Sequence, residues 1–130
     1  MSQENVERLR KGIERFIATG EPDWSVLDEE VVVYDHDILD AGDYRGFGGY
    51  ARWLEDFGSP WAGYTIAQEE YIDAGERAIV VFKVSATGAG SGIRVERQDA
   101  MVCEMRNLKA VRIDYYNNRD QALKAVGLEE

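Results

Sequence analysis

The chain has 130 residues, a formal net charge of −10, 45% hydrophobic residues and 31% charged residues. That length allows one hydrophobic core but not two, and the composition is that of an ordinary soluble globular domain. The negative field repels phosphate backbones and anionic lipid, which excludes nucleic acid and membrane surfaces as expected partners.

No apolar run approaches the roughly 20 residues needed to span a bilayer. The opening Met1-Ser2-Gln3-Glu4 leads straight into a polar–apolar pattern and not into a basic start with an apolar stretch, so no signal peptide is read and a cytoplasmic protein is expected. The single Cys103 forms no internal disulfide, which fits a reducing compartment. With one histidine and one cysteine, a zinc site of the nitrogen–sulfur type is not expected.

Val6, Leu9, Ile13, Phe16 and Ile17 recur at helical spacing and predict a first helix, with Ser2 as its N-cap, Gly20 as its C-terminal cap and Pro22 barring continuation. Asp23 can cap a short second helix through Trp24 to Asp28. The β-branched run from Val31 to Asp35 predicts a strand, followed by a loop containing Gly42 and Gly46. Phe47, Tyr50, Leu54 and Phe57 mark a third helix closed by Gly58 and Pro60, its first turn weakened by Gly48 and Gly49. Four long strands follow, Tyr64–Asp73, Arg77–Thr87, Ile93–Arg106 and Lys109–Asn117. Their short connections, Ala74-Gly75, Gly88 to Gly92 and Asn107-Leu108, imply an antiparallel meander. Asn118 with Gln121 three residues on resembles a capping box for a last helix that Gly127 ends. Helices first and a long meander afterwards predict one α+β domain over 1–130, a curved, mostly antiparallel sheet with helices over its concave face and a small-molecule hollow between them.

Strand alternation then assigns residues to the hollow. In the Ile93–Arg106 strand, Val95, Met101, Cys103 and Met105 share one parity with Arg97 and Asp99, and charged groups on an inward face cost free energy unless paired or functional. If Asn107-Leu108 is a two-residue hairpin loop, Arg106 pairs with Lys109 and Met101 lies opposite Asp114, so Arg112, Asp114 and Tyr116 line the hollow beside Arg97 and Asp99. Val111, Ile113 and Tyr115 then join Ala100 and Val102 on an apolar convex face suited to a homodimer interface, whereas a one-residue change in register reverses the assignment. Trp53 and the aromatic residues around it are read as core and pocket wall, His36 as a surface loop residue, and Cys103 as a buried, inert thiol.

Several segments in order resemble the SnoaL-like branch of the nuclear transport factor 2-like superfamily: Met1 to Glu7, Ala18-Thr19-Gly20-Glu21, Val31–Asp35, Tyr44-Arg45-Gly46, Ile72 to Arg77 and Asn118 to Leu123. The resemblance implies a cone-shaped α+β barrel and, commonly, a dimer through the sheet, within a family of isomerases, cyclases, hydrolases and non-catalytic binders. Asp35 falls where ketosteroid isomerases keep a proton-shuttling aspartate, but Ile13 and Met101 replace the two groups of their oxyanion hole, so steroid isomerisation is not expected. Arg97-Gln98-Asp99 and Asp114 correspond to the Arg-x-Asp and second Asp of limonene-epoxide-hydrolase-like enzymes, while Val33 and Asp35 stand where those enzymes hold water with a tyrosine and an asparagine.

The leading expectation is therefore a cofactor-free, metal-free enzyme acting on a small, largely apolar organic molecule by carboxylate acid–base chemistry, as an epoxide hydrolase or as a SnoaL-type isomerase or cyclase. Asp35 or Asp99 would be the base, Asp114 the paired acid and Arg97 the orienting group, with Ile13, Val33, Trp53, Met101, Cys103 and Tyr116 as pocket wall. The rival is a non-catalytic ligand-binding or dimerisation module, in which Arg97–Asp99 is a structural ion pair.

Overall fold

The computed structural model describes residues 3–38 and 42–128. Helix α1 spans Gln3–Thr19 and ends where Gly20, at φ +76°, returns its N–H to the Phe16 carbonyl at 2.7 Å. The Ser2 cap lies outside the described residues. Asp23 caps as expected, its carboxylate accepting from the Ser25 N–H at 3.1 Å, but it starts only a 3-10 turn over Trp24–Val26. The predicted helix stops two residues short of Asp28 because strand β1, Leu27–Asp35, begins four residues before the predicted strand. A three-residue strand β2, Asp43–Arg45, was too short to show a pattern in the sequence.

Helix α2, Gly46–Gly58, keeps its glycine-rich first turn for a steric reason. A side chain at Gly49 would place its Cβ 2.8 Å from the Tyr44 carbonyl carbon, so the missing side chain lets the helix lie directly on β2. The meander comprises β3 Trp61–Ala74, β4 Arg77–Gly88, β5 Arg94–Arg106 and β6 Lys109–Tyr116, each within a few residues of its predicted bounds. Helix α3, Arg119–Ala125, is capped by the Asn118 side chain, which accepts from the N–H groups of Asp120 and Gln121.

The six strands form one curved, unclosed sheet in the order β2-β1-β6-β5-β4-β3, antiparallel throughout except for the parallel pair β1 and β6. Helices α1 and α2 cover the concave face, where Leu9, Trp53 and Phe57 pack on Val31, Val33, Phe82 and Met101. Helix α3 departs from the expected arrangement. It lies on the convex face, where Ala122 and Leu123 bury Ile79, Val81, Ala100 and Val102.

The predicted register of β6 is corrected by a bulge. The turn is as expected: Asn107 and Leu108 both have positive φ, 52° and 65°, and Arg106 pairs with Lys109. Met105 then pairs with Ala110, but Glu104 pairs with Arg112, so Val111 is an extra residue that reverses every face beyond it. Ile113 and Tyr115 consequently point into the concave side, opposite Cys103 and Met101, whereas Asp114 and Tyr116 lie with Val102 and Ala100 on the convex side. The apolar stripe on which a homodimer interface was expected is thereby lost, because two of its residues face inward and Ala100 and Val102 are buried beneath α3. Among the described residues no helix is long and apolar enough to cross a membrane.

Candidate functional site

The hollow predicted from the layering is present as a cavity between α1, α2 and the concave face. It holds about 90 Å³, several times the ~10–15 Å³ that one water needs by the same measure, so a small organic molecule has room. Helix α1 supplies Leu9, Ile13 and Phe16 from its apolar stripe, because 3.6-residue periodicity aims those positions at the sheet. Helix α2 supplies Tyr50, Trp53, Leu54 and Phe57 by the same spacing. The sheet contributes Met101, Ile113 and Tyr115 from its centre and Tyr64, Ile66 and Phe82 from β3 and β4. The aromatic rings are fixed edge-on: Trp53 and Phe57 each lie 5.4 Å from the Tyr115 ring.

Of the predicted carboxylates, Asp35 and Asp99 are inward and buried but do not line this cavity. Asp99, 0% exposed, accepts from Arg97 Nε at 2.5 Å and Nη2 at 3.0 Å, and its Oδ2 accepts a third bond from the Tyr115 hydroxyl at 2.5 Å. Both oxygens are thus engaged. Asp35, 8% exposed at the end of β1, accepts from the Trp53 indole N–H at 2.8 Å and the Asp37 N–H at 3.0 Å. Trp53 and Tyr115 therefore face the cavity with their rings and hold a carboxylate each with their polar ends.

The electrostatics separate the two. Burial pushes the Asp35 carboxyl above the ordinary range, an effect that the Trp53 and Asp37 hydrogen bonds only partly offset; nearby Asp37 and Asp99 push it the same way. Burial works against the Arg97 charge, but the hydrogen bonds and charge of Asp99 outweigh it, so the guanidinium is held more firmly protonated than usual. Burial and the neighbouring Asp99 push the Tyr115 phenol well up, so it remains a neutral donor.

Of the other predicted residues, Ile13, Trp53 and Met101 line the cavity. Val33 and Cys103 belong to the same core but lie off the cavity wall, and burial pushes the Cys103 thiol up to about 12, which makes it a poor nucleophile. Tyr116 and Asp114 are not in the site. Tyr116 stacks on His36 with ring centroids 4.5 Å apart, and Asp114 accepts from Arg112 Nε at 2.8 Å and is bonded to His36 Nε2 at 2.8 Å. Burial would raise the Asp114 pKa, but the Arg112 and His36 bonds prevail and hold it below the ordinary carboxylate value. The Arg-x-Asp and second Asp are therefore on opposite faces, and Tyr115 takes the place beside Asp99 that Asp114 was expected to fill.

Sequence reasoning missed Tyr115, although the alternation Arg112-Ile113-Asp114-Tyr115 signalled it. Two adjacent apolar residues, Ala110 and Val111, followed by a restarted polar–apolar pattern are what a bulge looks like in sequence. Among the described residues no three histidine, cysteine, aspartate or glutamate side chains come together as a metal site would require.

No protein-family model matches the sequence, and no curated protein matches it. Solved structures match along nearly the whole chain. TerC, crystallised with polyporic acid, superposes with a TM-score of 0.77 at 18% identity over 96% of this chain and 99% of that one. A nuclear transport factor 2-like protein of unknown function from Burkholderia pseudomallei gives 0.72 at 19% identity, over 97% and 98%. A Jannaschia protein described as a SnoaL-like polyketide cyclase gives 0.72 at 13% identity, over 100% and 98%. At these identities the likeness is one of fold: the chain has the nuclear transport factor 2-like cone.

Proposed function

We propose that the chain binds a small, largely apolar organic molecule in the cavity between α1, α2 and the sheet. The observation that carries this reading is the lining, in which aliphatic and aromatic side chains from three layers converge on a space large enough for a ligand. The co-crystallisation of TerC, which shares the fold, with polyporic acid supports a role of this kind. Calorimetric titration with tetralin, a compact bicyclic hydrocarbon, tests it. Binding is expected for the native chain and a loss of at least tenfold for Ile13→Trp, which fills the space from α1. Unchanged affinity in a folded Ile13→Trp variant would show that the hydrocarbon sits elsewhere.

A second reading, acid–base catalysis on the bound molecule, is favoured by one feature. Asp35 combines a desolvated carboxyl with a raised pKa and accepts one hydrogen bond on each oxygen, whereas Asp99 is sealed and accepts three. In this reading Asp35, held off the cavity wall by its bond to the Trp53 indole, takes and returns the proton when that bond opens, and Arg97 with Asp99 orients Tyr115. Exchange of the α-hydrogens of 1-tetralone for deuterium, followed by NMR, checks it. Native protein should accelerate exchange and Asp35→Asn should not; equal rates for both would leave the chain a binder.

A further inference from the structure

Tyr50 on α2 and Tyr64 on β3 both line the space, yet neither hydroxyl has a hydrogen-bond partner among the described residues, in contrast to Tyr115, Tyr44 and Tyr71, whose hydroxyls bond to Asp99, Asp56 and Gln68. Among the described residues no polar side-chain atom sealed away from solvent lacks a partner, so these two oxygens are accessible, and both residues belong to the cavity lining. Their direction is fixed by packing. The Tyr50 ring stands edge-on to Trp53 at 5.4 Å and to Trp24 at 5.9 Å, and the Tyr64 ring stands edge-on to Phe57 at 5.3 Å. Burial pushes both phenols up, so each keeps its proton.

An unpaired polar group in a desolvated wall costs free energy until something bonds to it. A phenol is a better donor than acceptor, because its oxygen lone pair is shared with the ring. The third cavity tyrosine, Tyr115, already donates its hydrogen bond to Asp99. The hydrogen-bond donors left for an occupant are therefore those on Tyr50 and Tyr64, set in a wall that is otherwise almost entirely hydrocarbon.

We infer that Tyr50 and Tyr64 select the ligand, and that it is an apolar ring compound bearing a carbonyl-type oxygen which accepts a hydrogen bond from their hydroxyls. This rests on the cavity being a binding site and adds the chemical class of what enters. The two functional groups to compare share one skeleton: 1-tetralone carries the ketone and tetralin does not.

The experiment is calorimetric titration of both compounds into the native chain and into the Tyr50→Phe, Tyr64→Phe and doubly substituted chains. The native chain is expected to bind 1-tetralone about tenfold more tightly than tetralin, each single substitution to lower the 1-tetralone affinity about 3- to 10-fold, and the double substitution to abolish the preference, with tetralin affinity unchanged throughout. Equal affinity of the native chain for the two compounds, or losses that fall equally on both, overturns the inference while leaving the binding site standing. If neither compound binds, the binding reading itself fails and this one with it. Thermal melting supplies a second readout: because the hydroxyls have no partner among the described residues, both single variants should melt no lower than the native chain. A substantial fall would assign them a structural role and overturn the inference.

Discussion

The same local motif occurs on the two central strands with opposite consequences. Arg97-Gln98-Asp99 on β5 and Arg112-Ile113-Asp114 on β6 each fold an arginine along its own strand onto the aspartate two residues later, with two nitrogen–oxygen bonds in both cases. The first faces the concave side, where Asp99 is sealed, only 25% of the Arg97 side chain is exposed, and Tyr115 adds a third donor. The second faces the convex side, where 52% of the Arg112 side chain is exposed and His36 completes the set. The geometry of the pair is local, but whether it is a sealed anchor or a pair with its arginine half in solvent depends on which face of the sheet it occupies. One residue, Val111, determines that.

The most severe way to break the comparison is to change the register. Deleting Ile113 should turn Asp114 inward and Tyr115 outward, leaving a charge in the core and an empty site, and the protein should fail to fold, as seen by loss of its cooperative thermal transition. Deleting Val111 instead removes only the unpaired residue, keeps Ala110 and Ile113 on the concave face, and should leave a folded chain. If both deletions are equally damaging, the bulge is not what sets the faces.

Asp99→Asn should come next. It strips a charged partner from a largely buried arginine and weakens the Tyr115 bond, and is expected to cost about 3 kcal/mol in urea denaturation. Asp114→Asn acts on a pair whose arginine is half in solvent and should cost at most about 1 kcal/mol. Equal costs would erase the distinction between the sealed pair and the half-exposed one.

The pH dependence sharpens the contrast further, with a smaller effect. Asp114 has a folded pKa below its ordinary 3.8, so its stabilisation is present above that value and is lost as pH falls through the folded pKa. Asp35, with a folded pKa above 3.8, runs the other way: ionising it costs stability as pH rises through the folded value, and the cost is absent at acid pH. The Asp114→Asn variant should therefore lose less stability than the native chain below about pH 4 in a series of urea titrations, the difference staying under about 1 kcal/mol. A steeper acid loss in that variant would contradict the assignment.

The smallest effect concerns the turn joining the two motifs. Leu108 is held at φ 65°, a conformation that costs an L-residue about 1 kcal/mol, and its N–H is secured by the Asn5 side chain at 3.1 Å. Leu108→Gly should stabilise by up to about 1 kcal/mol, less the extra freedom glycine gains when unfolded, and a raised melting temperature with unchanged ligand binding would show it.

The sequence by itself determined the order of the longer helices and strands, the two-residue Asn107-Leu108 turn, the Asn118 cap, and the concave placement of Arg97, Asp99, Ile13, Trp53 and Met101, because each depends on spacing within a few neighbouring residues. Tertiary structure alone decided that β1 lies parallel to β6, that α3 covers the convex face, and that Tyr115 rather than Asp114 bonds Asp99. It also bonded Trp53 and Tyr115, both on the cavity lining, to Asp35 and Asp99, and left the Tyr50 and Tyr64 hydroxyls without a partner among the described residues. The physical reason is that alternation is a rule of period two. It propagates faithfully along a regular strand, but a single inserted residue inverts it, and the packing of distant elements decides whether that insertion is kept.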